Sequence, residues 1–286
     1  MVAPARFQVP GTHTVLAAAR AVEVSVARSG HIMYFFGTII LSLPTSVRRY
    51  RKEFMRLLAD ISWGNGSIVV GGGTIGVALV LGATAGALLG VEGYNALNLL
   101  GLGPATGLIS SFAGTRELAP IMIGLAFCTQ AGCRFTAQLG AMRINEEIDA
   151  MDVLGINSIA YLVATRAAAA IVAAIPLFFA CLATAYLSTQ LVVFFAAGQS
   201  SGTYLHYFAL VMNGRDVAYA TIKAVIFVFV ASTLQCYYGY YAAGGPAGVG
   251  VAAGRAMRSA ITIVIILNML LTMAMWGVDA GARFGG

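Results

Sequence analysis

Five apolar runs, each close to the length of a bilayer-crossing helix, constrain this chain more than any other feature. They cover residues 68–90, 107–130, 167–195, 217–238 and 260–276. A helix needs roughly 20 apolar residues to cross about 30 Å of hydrocarbon. Only 10% of the residues are charged, against roughly 25% in soluble domains, so a water-soluble enzyme is excluded. We therefore predict an all-α integral membrane protein with five transmembrane helices in residues 67–286.

Residues 1–66 are predicted to form a cytoplasmic segment with two helices. The apolar stretch 32–43 lies between Arg28 and Pro44 and would reach only about 18 Å as a helix, which is too short to span. We expect it to lie in the membrane interface. Residues 47–62 alternate basic and apolar side chains, a pattern typical of an amphipathic helix on an anionic cytoplasmic leaflet rather than of nucleic-acid binding.

The distribution of Lys and Arg predicts the orientation. Of the 17 basic residues, thirteen precede the first span or lie in the second-to-third and fourth-to-fifth connections, whereas Arg215 and Arg283 are on the other side. Positive charge favours the cytoplasm. The amino terminus is therefore expected inside and the carboxyl terminus outside, in a multi-pass protein of the cytoplasmic (inner) membrane.

Cofactor motifs are absent or out of context. Gly71, Gly73 and Gly76 match a dinucleotide fingerprint but open an apolar run rather than follow a strand, and no phosphate-binding P-loop occurs. The four Cys and three His have no metal-ligand spacing. We expect no cofactor, no metal and no catalytic residue on this chain, so ATP and Mg²⁺ would have to be bound by a partner.

Three ionisable residues fall inside the predicted spans. Arg116 is nine residues beyond Gly107, which suggests a position halfway through the hydrocarbon, and Pro120 leaves the carbonyl of Arg116 without its usual helical donor. Intramembrane charges are expensive and should face a partner or a wet cavity. Because Lys223 has a similar depth, we predict an ion pair with Glu117. The pair could lock helices together, or it could line a substrate cavity.

A short acidic helix is predicted in the connection between the second and third spans, at residues 145–154. Asn145 is a favourable N-cap, Glu146 and Glu147 favour the helix start, and Gly155 a stop. The apolar side should contain Ile144, Ile148, Met151 and Leu154, with Asp149 and Asp152 among the carboxylates. This helix could be a solvated connector or a docking helix for a cytoplasmic partner.

Small residues recur every four positions along the first span, at Ala78, Gly82, Gly86 and Gly90. This spacing places them on one helix face, where another backbone can approach closely. We predict a helix-packing face, within the chain or with a partner subunit.

Several segments in combination resemble the MlaE/YrbE family of ABC-transporter permeases. They are the RELAP sequence at 116–120, Ala131-Gly132, the stretch 136–142 and the EIDAM sequence at 147–151. The similarity runs from about Arg28 to Trp276 and is greatest to the YrbE B-type permeases of actinobacterial Mce lipid-import systems.

The resemblance implies an interfacial helix followed by five spans, a paired second permease, a cytoplasmic ATPase dimer, MCE proteins on the outer side and membrane lipids as substrate. It also implies that the acidic helix is the coupling helix of the ATPase. Tyr94, Arg116, Glu117 and Lys223 match positions that line or neighbour the lipid pocket of the family.

Two departures from the family pattern bear on the partner. Many relatives have Gly-Arg where this chain has Thr129-Gln130, and Glu where it has Gln138. Loss of this pair of opposite charges favours a heterodimer with an unlike permease. Two other functions stay open from the sequence: an ion-coupled secondary transporter that uses Arg116, Glu117 and Lys223 as a relay, and an assembly scaffold without a permeation path.

Overall fold

The computed structural model describes residues 12–64 and 73–277, and every regular element in these two ranges is helical. The helices are α1 (Thr12–Arg49), α2 (Arg51–Trp63), α3 (Gly73–Asn98), α4 (Gly103–Ile144), α5 (Glu147–Val153), α6 (Ile159–Phe195), α7 (Ser201–Val211), α8 (Gly214–Tyr240) and α9 (Gly245–Trp276). By length and composition, α3, α4, α6, α8, α9 and the Ser29–Arg49 part of α1 could each cross a membrane. The prediction of an all-α integral membrane protein is confirmed. The predicted domain boundary at 66/67 and the start of the first span at 68 lie outside the described residues.

The amino-terminal helices differ from their predicted bounds. Pro44 lies inside α1, which continues to Arg49, because a proline costs a helix one hydrogen bond and a kink without necessarily ending it. Tyr50 leaves the helical conformation, and α2 begins at Arg51. The expected start of the amphipathic helix at residue 47 is therefore wrong by four residues.

The contacts of α1 place both ends of its apolar stretch at one end of the bundle. The ring of Phe35 packs against that of Tyr240, at the end of α8, with 6.0 Å between centroids. Ser46 donates a hydrogen bond to the carbonyl of Ala160, near the start of α6 (2.7 Å). Ser158 in turn shares a hydrogen bond with Tyr240 (2.7 Å). This geometry favours the predicted interfacial position over a sixth span. We call this end, which also carries α5, the inner end, and the opposite end, which carries α7, the outer end.

The small-residue face of α3 packs within the chain, against α6. Ala78, Gly82, Gly86 and Gly90 are all buried. A Cβ on Gly86 would lie 2.1 Å from the carbonyl oxygen of Ala185, and one on Gly82 would lie 2.5 Å from that of Cys181. Thr189 donates a hydrogen bond to the carbonyl of Gly86 (2.8 Å). The predicted close helix contact is confirmed, and its partner is α6 of the same chain.

Two features of the other helices were not anticipated. Helix α9 starts at Gly245, well before the short apolar run that begins at residue 260. The helix is therefore 32 residues long, longer than that run predicts. Helix α7 forms in the outer connection, where Ser200 caps it by accepting a hydrogen bond from Gly202. It packs across the start of α4, where a Cβ on Gly107 would lie 2.3 Å from the carbonyl oxygen of Tyr204.

Candidate functional site: a buried charge cluster and a coupling segment

Lys223 forms the centre of a buried polar cluster on α8. Its side chain is fully buried, and its Nζ lies 3.2 Å from Glu117 of α4. The same ammonium donates hydrogen bonds to the backbone carbonyl of Arg116 (2.9 Å) and to Oγ1 of Thr272 on α9 (2.6 Å). The predicted ion pair is present, and the polar backbone group beside Pro120 is bound by the same lysine.

The carboxylate of Glu117 also receives two neutral donors from α9. Asn268 Nδ2 and Thr272 Oγ1 each donate to it at 2.7 Å. The side chain of Glu117 is 32% exposed, so three helices hold a carboxylate that is still partly open. The sequence analysis did not predict this contact, although Asn268 is the only strongly polar residue in the last apolar run and could have indicated it.

Arg116 belongs to a second set of contacts, which sequence reasoning missed. Its guanidinium pairs with Asp216 of α8 (2.9 Å) and lies over the ring of Phe112, 4.1 Å from the centroid. Trp276 Nε1 donates to the other oxygen of Asp216 (2.7 Å). Asp216 is seven residues before Lys223, two turns along the same helix face, and this spacing could have indicated it.

The position of Arg116 differs from the sequence expectation. It meets Asp216, the third residue of α8, and Trp276, the last residue of α9. Arg116 therefore lies near the outer ends of two helices, not halfway along them. The depth of Arg116 was estimated by counting residues from Gly107. This estimate was too large because Gly107 packs against α7, further toward the outer side than the start of α8.

Tyr94 is not part of this cluster in the described residues. It lies near the end of α3, where its ring would be 3.0 Å from a Cβ on Gly103, the first residue of α4. Its expected role beside the lipid pocket stays a prediction.

Helix α4 changes its winding at the cluster. Its Ser110–Leu118 stretch, which includes Arg116 and Glu117, is π-helical, and so is Cys128–Gly132 further inward. Gln235 of α8 donates a hydrogen bond to the carbonyl of Cys128 within the second stretch (2.8 Å). π-Helical stretches of this kind are frequent at functional sites, and α8 contacts both of them in this chain.

The acidic helix is present as α5, with a different start. Asn145 is not its N-cap, because it ends α4. Glu146 takes that position with φ 60°, and its side chain makes no capping bond. Of the two glutamates of the predicted first turn, Glu146 is therefore the left-handed N-cap, and only Glu147 lies in the helix. Gly155 has φ +74° and ends the segment as predicted, since glycine adopts this conformation without strain.

One apolar side chain anchors α5 and others project from it. Ile148 is fully buried and Met151 is half-buried. Leu154, which was predicted on the apolar side, is 76% exposed, and Val153 is 88% exposed. The free surface of the segment therefore has an acidic part and an apolar tip. We call Glu146–Leu154, with this surface, the coupling segment, after the role that the family resemblance implies for it.

The carboxylates of the coupling segment have unequal freedom. Asp149 pairs with Arg143 of α4 (2.6 Å). Asp152 accepts a hydrogen bond from the backbone amide of Ser158 (3.4 Å). Glu146 and Glu147 are exposed and carry no such contact among the described residues, so they are the carboxylates most available to a partner.

Two connections join the coupling segment to the charge cluster. Helix α4 carries Glu117 and leads directly into α5. Ser158, which follows the segment, shares a hydrogen bond with Tyr240 of α8 (2.7 Å). Lys223 is 17 residues earlier on α8, about 25 Å along the helix axis. A displacement of the segment would thus reach both partners of the buried ion pair.

Comparison with known proteins gives a consistent result. The family model described as "Permease MlaE" matches residues 65–274. A "Probable ABC transporter permease protein" of Rickettsia bellii is 29% identical over 237 residues, 83% of this chain and 89% of the relative. The "Intermembrane phospholipid transport system permease protein MlaE" of Haemophilus influenzae is 25% identical over 257 residues, 88% and 92% of the two chains. The chloroplastic protein TRIGALACTOSYLDIACYLGLYCEROL 1 of Arabidopsis thaliana is 26% identical over 199 residues, 70% of this chain and 57% of that protein.

Proposed function

The chain belongs to the MlaE permease family, and from that premise we propose that it is the membrane-spanning permease of an ATP-driven importer of lipids or other hydrophobic molecules. Its relatives are named as permeases of ABC transporters, one of them for phospholipids. ATP and Mg²⁺ would be bound by a cytoplasmic ATPase dimer. No nucleic acid takes part.

The observation that carries the proposal is the double connection between the coupling segment and the charge cluster. A buried ion pair by itself is weak evidence of function, because it can simply hold helices together. Here Glu117 and Lys223 lie on α4, which leads directly into the coupling segment, and on α8, which is bonded to Ser158 just after the segment. Closure of an ATPase against the segment would therefore alter their separation.

The partly exposed side of Glu117 supplies the proposed lipid site. Asn268 and Thr272 orient the carboxylate from α9, and the same helix leaves apolar side chains uncovered, such as Met269 (65% exposed) and Met273 (48% exposed). A polar group flanked by apolar surface suits an amphipathic ligand whose head group meets the charges and whose chains meet the methionines. Arg116, Glu117 and Lys223 would contact or orient the lipid.

The partners follow from the same premise. A second permease would cover the open face of α9. We expect it to be a different YrbE-type chain, because Gln130 and Gln138 of this chain are uncharged. MCE proteins would continue the lipid path at the outer end, and an assignment to the B-type permeases of Mce systems is part of this proposal.

One experiment tests the coupling role and the substrate class together. The chain is co-expressed with its ATPase, and Glu147→Lys is compared with Glu92→Lys, an exposed glutamate near the outer end of α3. We expect Glu147→Lys to abolish ATP-dependent lipid uptake while membrane insertion is normal, and Glu92→Lys to transport normally. Mass spectrometry of lipids retained by the purified complex identifies the substrate class. Uptake that persists without the ATPase but stops when the proton gradient is dissipated would overturn the proposal in favour of an ion-coupled carrier.

A further inference from the structure

A cavity of about 390 Å³ lies at the inner end of the bundle, between α2 and the inner part of α4. Its polar lining comes from Arg56 and Asp60 of α2, from Gly64, and from Arg134 and Gln138 of α4. It lies at the opposite end of the bundle from the Lys223 cluster, and the proposed lipid path does not use it.

The basic and acidic residues around this cavity do not balance. Arg56 pairs with Glu53 (2.6 Å), and Arg134 pairs with Asp60 through both the side chain and the backbone carbonyl. Both carboxylates are thus already engaged. Each of the two guanidinium groups keeps further N–H groups that these bonds do not use.

The excess positive charge is Arg166 of α6, directly behind Gln138. Only 5% of Arg166 is exposed. Among residues 12–64 and 73–277 its guanidinium has no carboxylate partner: Nη1 donates to the carbonyl of Leu162 (2.7 Å), Nη2 donates to Oε1 of Gln138 (3.4 Å), and Nε has no acceptor. A buried charge without a counterion costs several kcal/mol.

Gln138 can relay this charge to the cavity. Gln138 is exposed and lines the cavity, and with its Oε1 accepting from Arg166, its amide Nε2 is left as a donor. An anion bound there would meet the amide of Gln138 and the unused N–H groups of Arg134 and Arg56. Planar guanidinium groups match the oxygen geometry of phosphate particularly well.

We propose that the cavity between α2 and α4 binds a phosphate-bearing anion, which acts as the counterion of Arg166 through Gln138. The phosphate can come from a lipid head group of the inner leaflet or from free phosphate in solution. Occupancy stabilises the junction between the amino-terminal helices and the membrane domain.

The test uses the full-length chain with its co-purifying subunits, washed in maltoside micelles and phosphate-free buffer. Short-chain phosphatidylglycerol, inorganic phosphate and uncharged diacylglycerol are added separately, and thermal unfolding and native mass spectra are recorded. We expect phosphatidylglycerol to raise the Tm by about 2–4 °C and diacylglycerol to leave it unchanged. A matching rise with inorganic phosphate identifies the free anion as a sufficient ligand, and no rise with phosphate assigns the site to lipid.

Two glutamine substitutions separate the site from a general charge effect. Gln138→Glu places a carboxylate next to Arg166, so it should raise the Tm in plain micelles and abolish the response to both anions. Gln130→Glu adds the same charge two turns away on α4 and should keep the wild-type response. The proposal is overturned by a wild-type Tm that neither anion changes, or by Gln138→Glu responding as the wild type does. It is equally overturned if the washed wild-type complex is already as stable without any anion as the Gln138→Glu complex, because the counterion is then a carboxylate of a co-purified subunit.

Discussion

Lys223 donates a hydrogen bond from Nζ to the backbone carbonyl oxygen of Arg116, at 2.9 Å. In an α-helix this carbonyl would bond to the amide of residue 120, but Pro120 has no N–H to donate. One buried ammonium therefore binds a weakened backbone position and the Glu117 carboxylate together. The ion pair is fixed at the place where α4 changes its winding, which makes it sensitive to bending of that helix.

Replacing Lys223 with Met should destabilise the chain and stop lipid uptake. The substitution keeps the side-chain volume but leaves Glu117 and the Arg116 carbonyl without their shared donor. Breaking a fully buried pair costs roughly 3–5 kcal/mol. We expect about 2 kcal/mol here, because Glu117 is one-third exposed. Thermal unfolding of the purified protein measures the change.

The double variant Lys223→Met, Glu117→Gln is the matched control. It removes both charges, so it should recover most of the stability while uptake stays abolished. Full recovery of uptake in the double variant would show that the pair only locks helices.

Asp216→Asn should weaken lipid retention, although the chain should still fold. Arg116 loses its charged partner, whereas the Asn side chain can still accept the hydrogen bond from Trp276. We expect a loss of stability of about 1–3 kcal/mol and less bound lipid per complex by mass spectrometry. The exposed neighbour Arg215→Gln is the control and should behave as the wild type. Equal lipid retention in both variants would argue against a role for Arg116 at the lipid site.

Gly86→Ala should prevent normal packing of α3 on α6. The added Cβ would lie 2.1 Å from the carbonyl oxygen of Ala185, and backbone cannot move aside as a flexible side chain can. Overpacking of this kind costs about 1–3 kcal/mol or more, so the purified yield and the Tm should both fall. Gly254→Ala on α9 has no atom within 4 Å of the new Cβ and should fold normally.

Replacing Val153 and Leu154 with Asp should impair binding of the ATPase without affecting insertion. Both side chains are exposed at the tip of the coupling segment, and a charge buried in an apolar contact is unfavourable. We expect the affinity for the ATPase to fall roughly tenfold or more, measured by co-purification at increasing salt. The same exchange at Leu99 and Leu100, an exposed apolar pair at the outer end, should leave ATPase binding unchanged. Normal coupling in the Val153, Leu154 variant would remove the segment from the mechanism.

Sequence reasoning was most successful where a local pattern determines the outcome. The apolar runs required helices of spanning length, the spacing of Gly82, Gly86 and Gly90 required a close helix contact, and Gly155 marked a helix end. The ion pair between Glu117 and Lys223 was also predictable, because a charged side chain in an apolar span has few other charged groups with which it can pair.

The errors all concern features that depend on packing. Asn145 is a good N-cap by type, but the chain turns at Glu146. Asp216 was missed because it precedes the apolar run 217–238 and was therefore assigned to a connection, whereas the helix begins at Gly214.

The sequence alone determined that this chain is helical and lies in a membrane, because hydrogen-bonding groups and charges cannot be left unsatisfied in hydrocarbon and only certain residue patterns avoid this. The tertiary structure decided which charges meet. It paired Arg116 with Asp216, added Asn268 and Thr272 to the predicted pair of Glu117 and Lys223, and left Arg166 without a carboxylate among the described residues. These contacts depend on the rotation and depth of whole helices, which are fixed by packing between distant segments and are not encoded in any local spacing.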